Sequence, residues 1–497
     1  MSKRKDKGRR QFSGLDQHER HKKLLTTPFA RLGVSTISWM NNRLPEMIWL
    51  SLVRLVAGRD SALLLIRCVA RFAEQRLQGR EAFDASISGL GKLADEQWGA
   101  LLEHCRLDHP PFRRALRPLL AFSMLPQHRR WLALIQQEPT QDDWELLAAA
   151  VAETLDHQSE ASTDARWARM LCYMVTGHLQ FAPTMAERVR EILEYPSRGD
   201  LRSVRPSIRA GELALGQMPP GISNPFQWSA KFWDTCLVST PCISPAPTTP
   251  ALPRIGTDAA RLANAWEALG RHWRKTLAST AVDARHDAAF GFALYALALL
   301  RELLRPGIAA SILGRSALRM LVEVLVTFRY LLSRDDSLLW SAYRAFGAGQ
   351  AKLAFLKLDK LDTAVGHLSE EALSTLANED TWQEFVPINL GHWGGMDLRK
   401  MAEEAGAKTE YDKFYGWPSS FVHGQWGAIR DSVFSTCLNP LHRLHRVPRE
   451  DTRQLEDVLA DAADLADGIL ALLDKAYPGF GTRVSVEGGN EACASPG

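Results

Sequence analysis

The sequence predicts an all-α protein with two helical domains. Three observations carry that expectation. Apolar residues recur at i, i+3, i+4 and i+7 through most of the chain, alternating β-branched runs are scarce, and a proline-rich stretch separates two long periodic halves. At 497 residues the chain exceeds what one core usually holds, since domains run to roughly 100–200 residues.

Residues 1–23 hold nine Lys/Arg against three Asp/Glu and no apolar run. The segment therefore reads as a basic disordered arm, able to meet phosphate through sequence-blind charge, and not as a secretory leader. Residues 24–218 form the expected N-terminal helical domain, with helical spacing over about 46–57, 60–78, 95–105, 112–121, 142–156, 164–177 and 184–194. Pro219, Pro220, Pro225, Pro241, Pro245, Pro247, Pro250 and Pro253 make 219–254 a linker, interrupted by one short helical piece at 227–236. The C-terminal domain spans 255–478, with helices over about 258–278, 286–304, 308–333 and 336–359. A further helix carries Leu455, Val458, Leu459, Ala462, Leu465, Ile469, Leu472 and Leu473, with Asp451 and Gln454 as its capping box. Residues 479–497 read as a disordered tail.

Composition excludes several classes. Apolar residues make up 46% and charged residues 24%, which is ordinary globular usage. A net charge of +3 is too balanced for a histone-like coat on nucleic acid. The longest apolar run, Ala288 to Leu300, is thirteen residues. At about 1.5 Å per residue it falls short of a bilayer core of roughly 30 Å, so no membrane association is expected. Seven scattered cysteines without a C-x-x-C pair point to a reducing, cytoplasmic setting.

Familiar catalytic signatures are missing. Gly89-Leu90-Gly91-Lys92 resembles a phosphate loop, yet Ser86 stands where that motif needs glycine and Leu93 where it needs Ser or Thr. His442 and His445 share a spacing of three, but zinc needs further ligands, and Arg443 and Arg446 alongside oppose a cation. The pair therefore reads as solvated or structural, and no metal or cofactor is expected.

Two polar stripes carry the candidate site. Arg315, Arg319 and Glu323 fall at i, i+4 and i+8 along the most apolar long helix of the chain. Charges in such a place are costly unless paired, so one reading is an internal Arg319–Glu323 pair that locks packing. The other is a guanidinium aimed at an anion. After Pro418, which suits a first helical turn, Ser419, His423, Trp426 and Arg430 fall at i, i+4, i+7 and i+11 on one helix face. His423 can move a proton near neutral pH. Between the stripes, Gly347 and Gly349 beside Gln350 allow close approach of a neighbouring backbone or ligand. The loop 391–395 (Gly-His-Trp-Gly-Gly) reads as a rim with no assigned chemistry.

The segments RSALRMLVEVLVTFRYL (315–331), YRAFGAGQAKLAFLK (343–357) and SSFVHGQWGAIRDSVFSTCLNPLHRLHR (419–446) resemble a bacterial family of unknown function. That family is similar to the HEPN and Abi-like helical domains. The shared pattern is Arg319/Glu323, Gly347/Gly349 and Ser419/His423/Gly424. The resemblance implies a HEPN-like helical bundle at the C-terminus, a setting in phage defence or stress response, RNA or nucleotide as partner, and a homodimer. In the HEPN group an arginine five to seven residues before the histidine (Arg-x4-6-His) holds the scissile phosphate. Here those positions hold Pro418, Trp417 and Gly416 instead.

Two functions follow as expectations. The first is a module binding nucleic acid, nucleotide or a partner, with Arg315, Trp426, Gly347, Gly349 and Gln350 as contacts. The second is a metal-independent ribonuclease, with His423 as acid/base, Arg319 or Arg430 on the phosphate, and Ser419 or Glu323 as orienter. The second requires His423 to lie close to one of those guanidiniums.

Overall fold

Helix Leu44–Ala57 shows how the first half of the chain builds its core. Ten consecutive residues, Leu44 to Val53, are buried, so this helix is enclosed on every side. In the computed structural model, which describes residues 18–21, 24–26, 37–77, 83–215, 227–246, 256–360, 365–379, 382–449 and 453–486, the chain is all-α. Two three-residue strand pairs, Glu19–His21 with Leu24–Thr26 and Phe434–Thr436 with Arg446–Pro448, are the only sheet among the described residues. None of the described helices is long and apolar enough to cross a membrane.

The chain divides into two compact units. Unit 1 comprises residues 1–245 and 436–447, and unit 2 comprises 246–435 and 448–497. The expected domain boundaries change accordingly. The helical piece placed in the linker, Gln227–Ser239, is a core element of unit 1. Its Trp228 indole donates to the Pro45 carbonyl at 3.1 Å, and the Ser229 hydroxyl donates to the Asn42 carbonyl at 2.6 Å. Residues 436–447, far away in sequence, also belong to unit 1, where Leu441 joins the buried core. The expected arm lies largely outside the described residues, although Glu19–His21 pairs as a strand with Leu24–Thr26.

Unit 1 buries polar atoms as well as apolar ones. The indoles of Trp39, Trp49 and Trp167 donate to the carbonyls of Thr154, Ala85 and Ile192 at 2.7–2.9 Å, which satisfies each buried N–H. Helix Leu201–Leu215 escaped the sequence reading because Pro206 stands inside it.

Unit 2 is organised around helix Ile312–Arg334. Its apolar face packs in one core with helices Ala259–Thr276, Ala284–Leu303, Ser337–Leu358 and Leu459–Ala476. Local chemistry starts most of these helices. Asp258, Asp283, Ser311 and Asp336 each accept from backbone N–H groups of the following first turn. The last helix begins at Leu459, later than expected, and Asp457 accepts from its N–H at 2.7 Å. Residues 479–486, expected in the tail, are folded. Val484 is fully buried, and Asp467 accepts from the Val484 and Ser485 amides at 2.7 and 3.0 Å. Residues 487–497 of that tail lie outside the described residues.

Candidate functional site

Arg319 sits two turns into helix Ile312–Arg334 with 16% of its side chain exposed. Glu323, one turn on, accepts from Arg319 Nε at 2.8 Å, as the i, i+4 spacing requires. That bond fixes the guanidinium plane and leaves its outer edge free to point elsewhere. Nη1 lies 3.1 Å from His423 Nε2, and Nη2 donates to the Tyr415 hydroxyl at 3.2 Å. The guanidinium carbon also stands 5.0 Å from the centre of the Tyr415 ring. Since Arg319 only donates, the imidazole in this arrangement accepts through the Nε2 lone pair.

His423 reaches this position by capping a short helix. Gly416–Val422 ends at His423, whose N–H bonds the Ser419 carbonyl at 3.1 Å. Gly424 takes φ +56°, Gln425 N bonds the Ser420 carbonyl at 2.9 Å, and the Ser420 hydroxyl donates to Gln425 Oε1 at 2.8 Å. The chain thus turns, and a separate helix starts at Trp426. This corrects the expected single helix. Ser419 and His423 keep their spacing, but Trp426 and Arg430 lie on a second axis. Trp426 is 62% exposed and packs its ring near Phe434. Arg430 is exposed, and no hydrogen bond joins it to His423 or Arg319 among the described residues. The Ser419 side chain does not bond His423 either, so it is not the orienter; Glu323 and Tyr415 orient the guanidinium instead.

Arg315 also leaves the group. It is buried and pairs with Glu456 at 3.3 Å. Burial holds its guanidinium below the usual arginine value, against the pull of Glu456 and Asp457. A helical row is straight, but each turn meets a different neighbour, so Arg315 and Arg319 find different partners.

Beside the cluster lies a cleft of about 1250 Å³. Glu323 and Tyr415 form its wall on the Arg319 side, and Tyr343, Phe346, Trp393, His392 and Lys400 line the rest. Gly347 opens into it, since a Cβ there would meet nothing within 4 Å. Gly349 serves packing, since a Cβ there would come 2.6 Å from the Pro387 carbonyl oxygen and only glycine lets that loop approach. The Gln350 amide then donates to the Asn389 carbonyl at 2.9 Å and pins the loop. Gly349 and Gln350 therefore hold the loop at the cleft edge and do not themselves line the cleft. The loop 391–395 does line the cleft, and burial lowers the affinity of His392 for a proton. Burial also pushes the Tyr343 hydroxyl up to about 12.

The sequence reading assigned no role to Tyr415, Tyr343 or Lys400, because single aromatic and basic residues carry no spacing signature. It also missed a set of metal-ligand side chains in unit 1, where Cys242 and Cys437 join His442 and His445. The His442/His445 pair was visible, and Cys437 stands close by, but the fourth member, Cys242, lies 195 positions before Cys437 and no spacing rule reaches it.

Residues 301–437 match a family of unknown function (DUF5677). That span includes Arg319, Glu323, Gly347, Gly349, Tyr415, Ser419 and His423. No curated protein and no solved structure matches the chain.

Proposed function

We propose that unit 2 binds a phosphate-bearing ligand, a nucleotide or single-stranded RNA, with Arg319 and His423 on the phosphate and the aromatic cleft receiving the base. The contact of Arg319 with His423 at 3.1 Å and with Tyr415 at 3.2 Å carries this reading. Glu323 holds the guanidinium through Nε alone, so both terminal nitrogens face neutral acceptors. Phosphate oxygens are stronger acceptors for that fork than a ring nitrogen or a phenol. Tyr343, Phe346 and Trp393 line the cleft with aromatic rings on which a base can stack, a contact that tolerates any base. At about 1250 Å³ the cleft is larger than the roughly 300–1,000 Å³ usual for small-molecule sites, which leaves room for a nucleotide.

The test is fluorescence anisotropy with a labelled single-stranded RNA and competing nucleotides at low salt. Arg319→Ala is expected to weaken binding at least about tenfold, a loss of roughly 1.4 kcal/mol, and Tyr415→Phe to weaken it less. Binding unchanged by Arg319→Ala and His423→Ala together would remove the proposal.

The nearness of an imidazole to a guanidinium supports a second reading, metal-independent RNA cleavage. His423 would take the proton of a ribose 2′-hydroxyl, whose oxygen attacks the adjacent phosphorus; the 5′-oxygen leaves and is protonated by solvent, while Arg319 holds the phosphoryl oxygens. Cleavage in EDTA, lost in His423→Ala, is the expected outcome. Growth inhibition on expression that the same change relieves would support the defence setting implied by the resemblance. Intact RNA after long incubation leaves binding alone.

A further inference from the structure

Unit 1 gathers four donor side chains that neither the sequence pattern nor the reading of unit 2 uses. They are Cys242, just after helix Gln227–Ser239, and Cys437, His442 and His445 on the returning segment 436–447. Their ligand atoms all lie within 4.8 Å of one another. Cys242 Sγ is 3.6 Å from His442 Nδ1 and 3.4 Å from His445 Nε2, and Cys437 Sγ is 3.5 Å from His442 Nδ1. Zinc takes sulfur at about 2.3 Å and imidazole nitrogen at about 2.0–2.1 Å, so the sulfur-to-nitrogen edge of its tetrahedron is about 3.6 Å. The three observed edges agree with that length. We propose that Cys242, Cys437, His442 and His445 bind one zinc ion in a closed tetrahedral site that ties segment 436–447 to residues 240–243 within unit 1.

The surroundings are those of a prepared site. His442 Nε2 lies 3.2 Å from the Thr240 carbonyl and 3.0 Å from its hydroxyl oxygen. The Thr240 hydroxyl donates to the Cys236 carbonyl at 2.7 Å, so its oxygen is left to accept from His442 and from the Asn439 amide at 3.0 Å. The proton of His442 is thereby held on Nε2, and the Nδ1 lone pair faces both sulfurs. The Ile243 N–H donates to Cys437 Sγ at 3.4 Å, a bond that stabilises a thiolate. Backbone bonds from Cys437 to His445 at 2.9 Å and from Leu438 to Ile243 at 2.7 Å hold the strands of the site together. Arg443 and Leu444 take left-handed φ values of 51° and 56°, and this turn brings the His445 ring to 4.9 Å from that of His442.

The guanidiniums that argued against a cation point away. Arg443 bonds Asn41 Oδ1 at 3.1 Å and lies over the Trp233 ring, and Arg446 donates to the Thr436 hydroxyl. On binding, the two thiols release their protons, and the two thiolates balance the zinc charge. Four protein ligands leave no open position, so the role is structural. Cys437 and His442 are buried, whereas Cys242 is exposed, so the ion has an entry side.

The full-length protein, purified without chelator under reducing conditions, is expected to carry one zinc per chain by elemental analysis. Replacing zinc with cobalt should produce the visible absorption of a tetrahedral cobalt thiolate. Chelation should lower Tm, and zinc added back should restore it. Cys242→Ser, at the exposed ligand, is expected to cut zinc content and change the cobalt spectrum without unfolding the chain. A wild-type protein that purifies free of zinc and takes up neither metal would overturn the proposal. Full zinc content with an unaltered cobalt spectrum in Cys242→Ser would do the same, as would a Cys242–Cys437 disulfide found by mass spectrometry in the reduced preparation.

Discussion

The two units place arginine beside carboxylate in opposite ways. In unit 1, Arg43, Arg166 and Arg169 converge on Glu212, with Asp84 and Glu46 nearby, and all but Asp84 are buried to within a tenth of full enclosure. Arg169 donates to Glu212 at 2.9 Å and to Asp84 at 3.2 Å. Burial works against the charge of Arg169, and Asp84 with Glu212 more than offsets it; burial takes Arg166 down to about 10. Burial opposes the charge of Asp84 as well, and Arg169 with Ser86 outweighs it and keeps that carboxylate ionised. Charges enclosed this way are held chiefly by one another. In unit 2 Arg319 has one carboxylate partner, Glu323, whose side chain is 40% exposed, and its remaining donors meet His423 and Tyr415 beside open space. The same pair of residue types is enclosed in unit 1 and stands at an open cleft in unit 2, which is the ground of the binding proposal.

The contrast can be broken most directly at Glu212. Glu212→Ala removes the carboxylate that three buried guanidiniums share, and a loss of about 3–5 kcal/mol is expected in denaturant unfolding. A change under about 1 kcal/mol would mean that unit 1 tolerates open charge as unit 2 does.

Glu46 sharpens the comparison through pH. Burial raises its carboxyl to about 7, against the Ser88 N–H and hydroxyl that favour the ionised form. A folded value above the unfolded one means that the folded state binds the proton more tightly. The stabilisation is then complete below about pH 4.5 and is lost as pH rises through 7, an effect of about 3 kcal/mol. Glu46→Gln should flatten that part of the stability profile relative to wild type, and parallel profiles would refute it.

Glu323 is the counterpart of Glu212. If its bond to Arg319 sealed the core, removing it would cost as much as Glu212→Ala. With its exposure, Glu323→Ala is expected to cost only about 0.3–1 kcal/mol of unfolding free energy in denaturant titration, while weakening ligand binding by freeing the guanidinium plane. The smallest effect is expected at Arg430. It stands exposed on its own helix, so Arg430→Ala should leave both stability and RNA affinity within error of wild type. A clear loss of affinity would move the phosphate site to the Trp426–Val433 helix.

Much of this was legible beforehand, for local reasons. Helices expected at 258–278, 286–304, 308–333 and 336–359 occur at Ala259–Thr276, Ala284–Leu303, Ile312–Arg334 and Ser337–Leu358. Each combines 3.6-residue periodicity with an Asp or Ser cap, and both signals act within a few residues. The Arg319–Glu323 pair was readable for the same reason. The stripe through Trp426 and Arg430 failed because periodicity assumes an unbroken helix, and Gly424 at φ +56° breaks it.

Sequence by itself determined the helical class, the division into two long helical halves and the i, i+4 pairing of Arg319 with Glu323, because helix periodicity, caps and side-chain chemistry are local properties. Only the tertiary structure decided that Arg319 faces His423 across 104 positions, that Arg315 turns to Glu456, and that Cys242 meets Cys437, His442 and His445. Those meetings depend on which helix faces pack together. That choice belongs to the burial of the whole unit and leaves no mark in the spacing of the residues concerned.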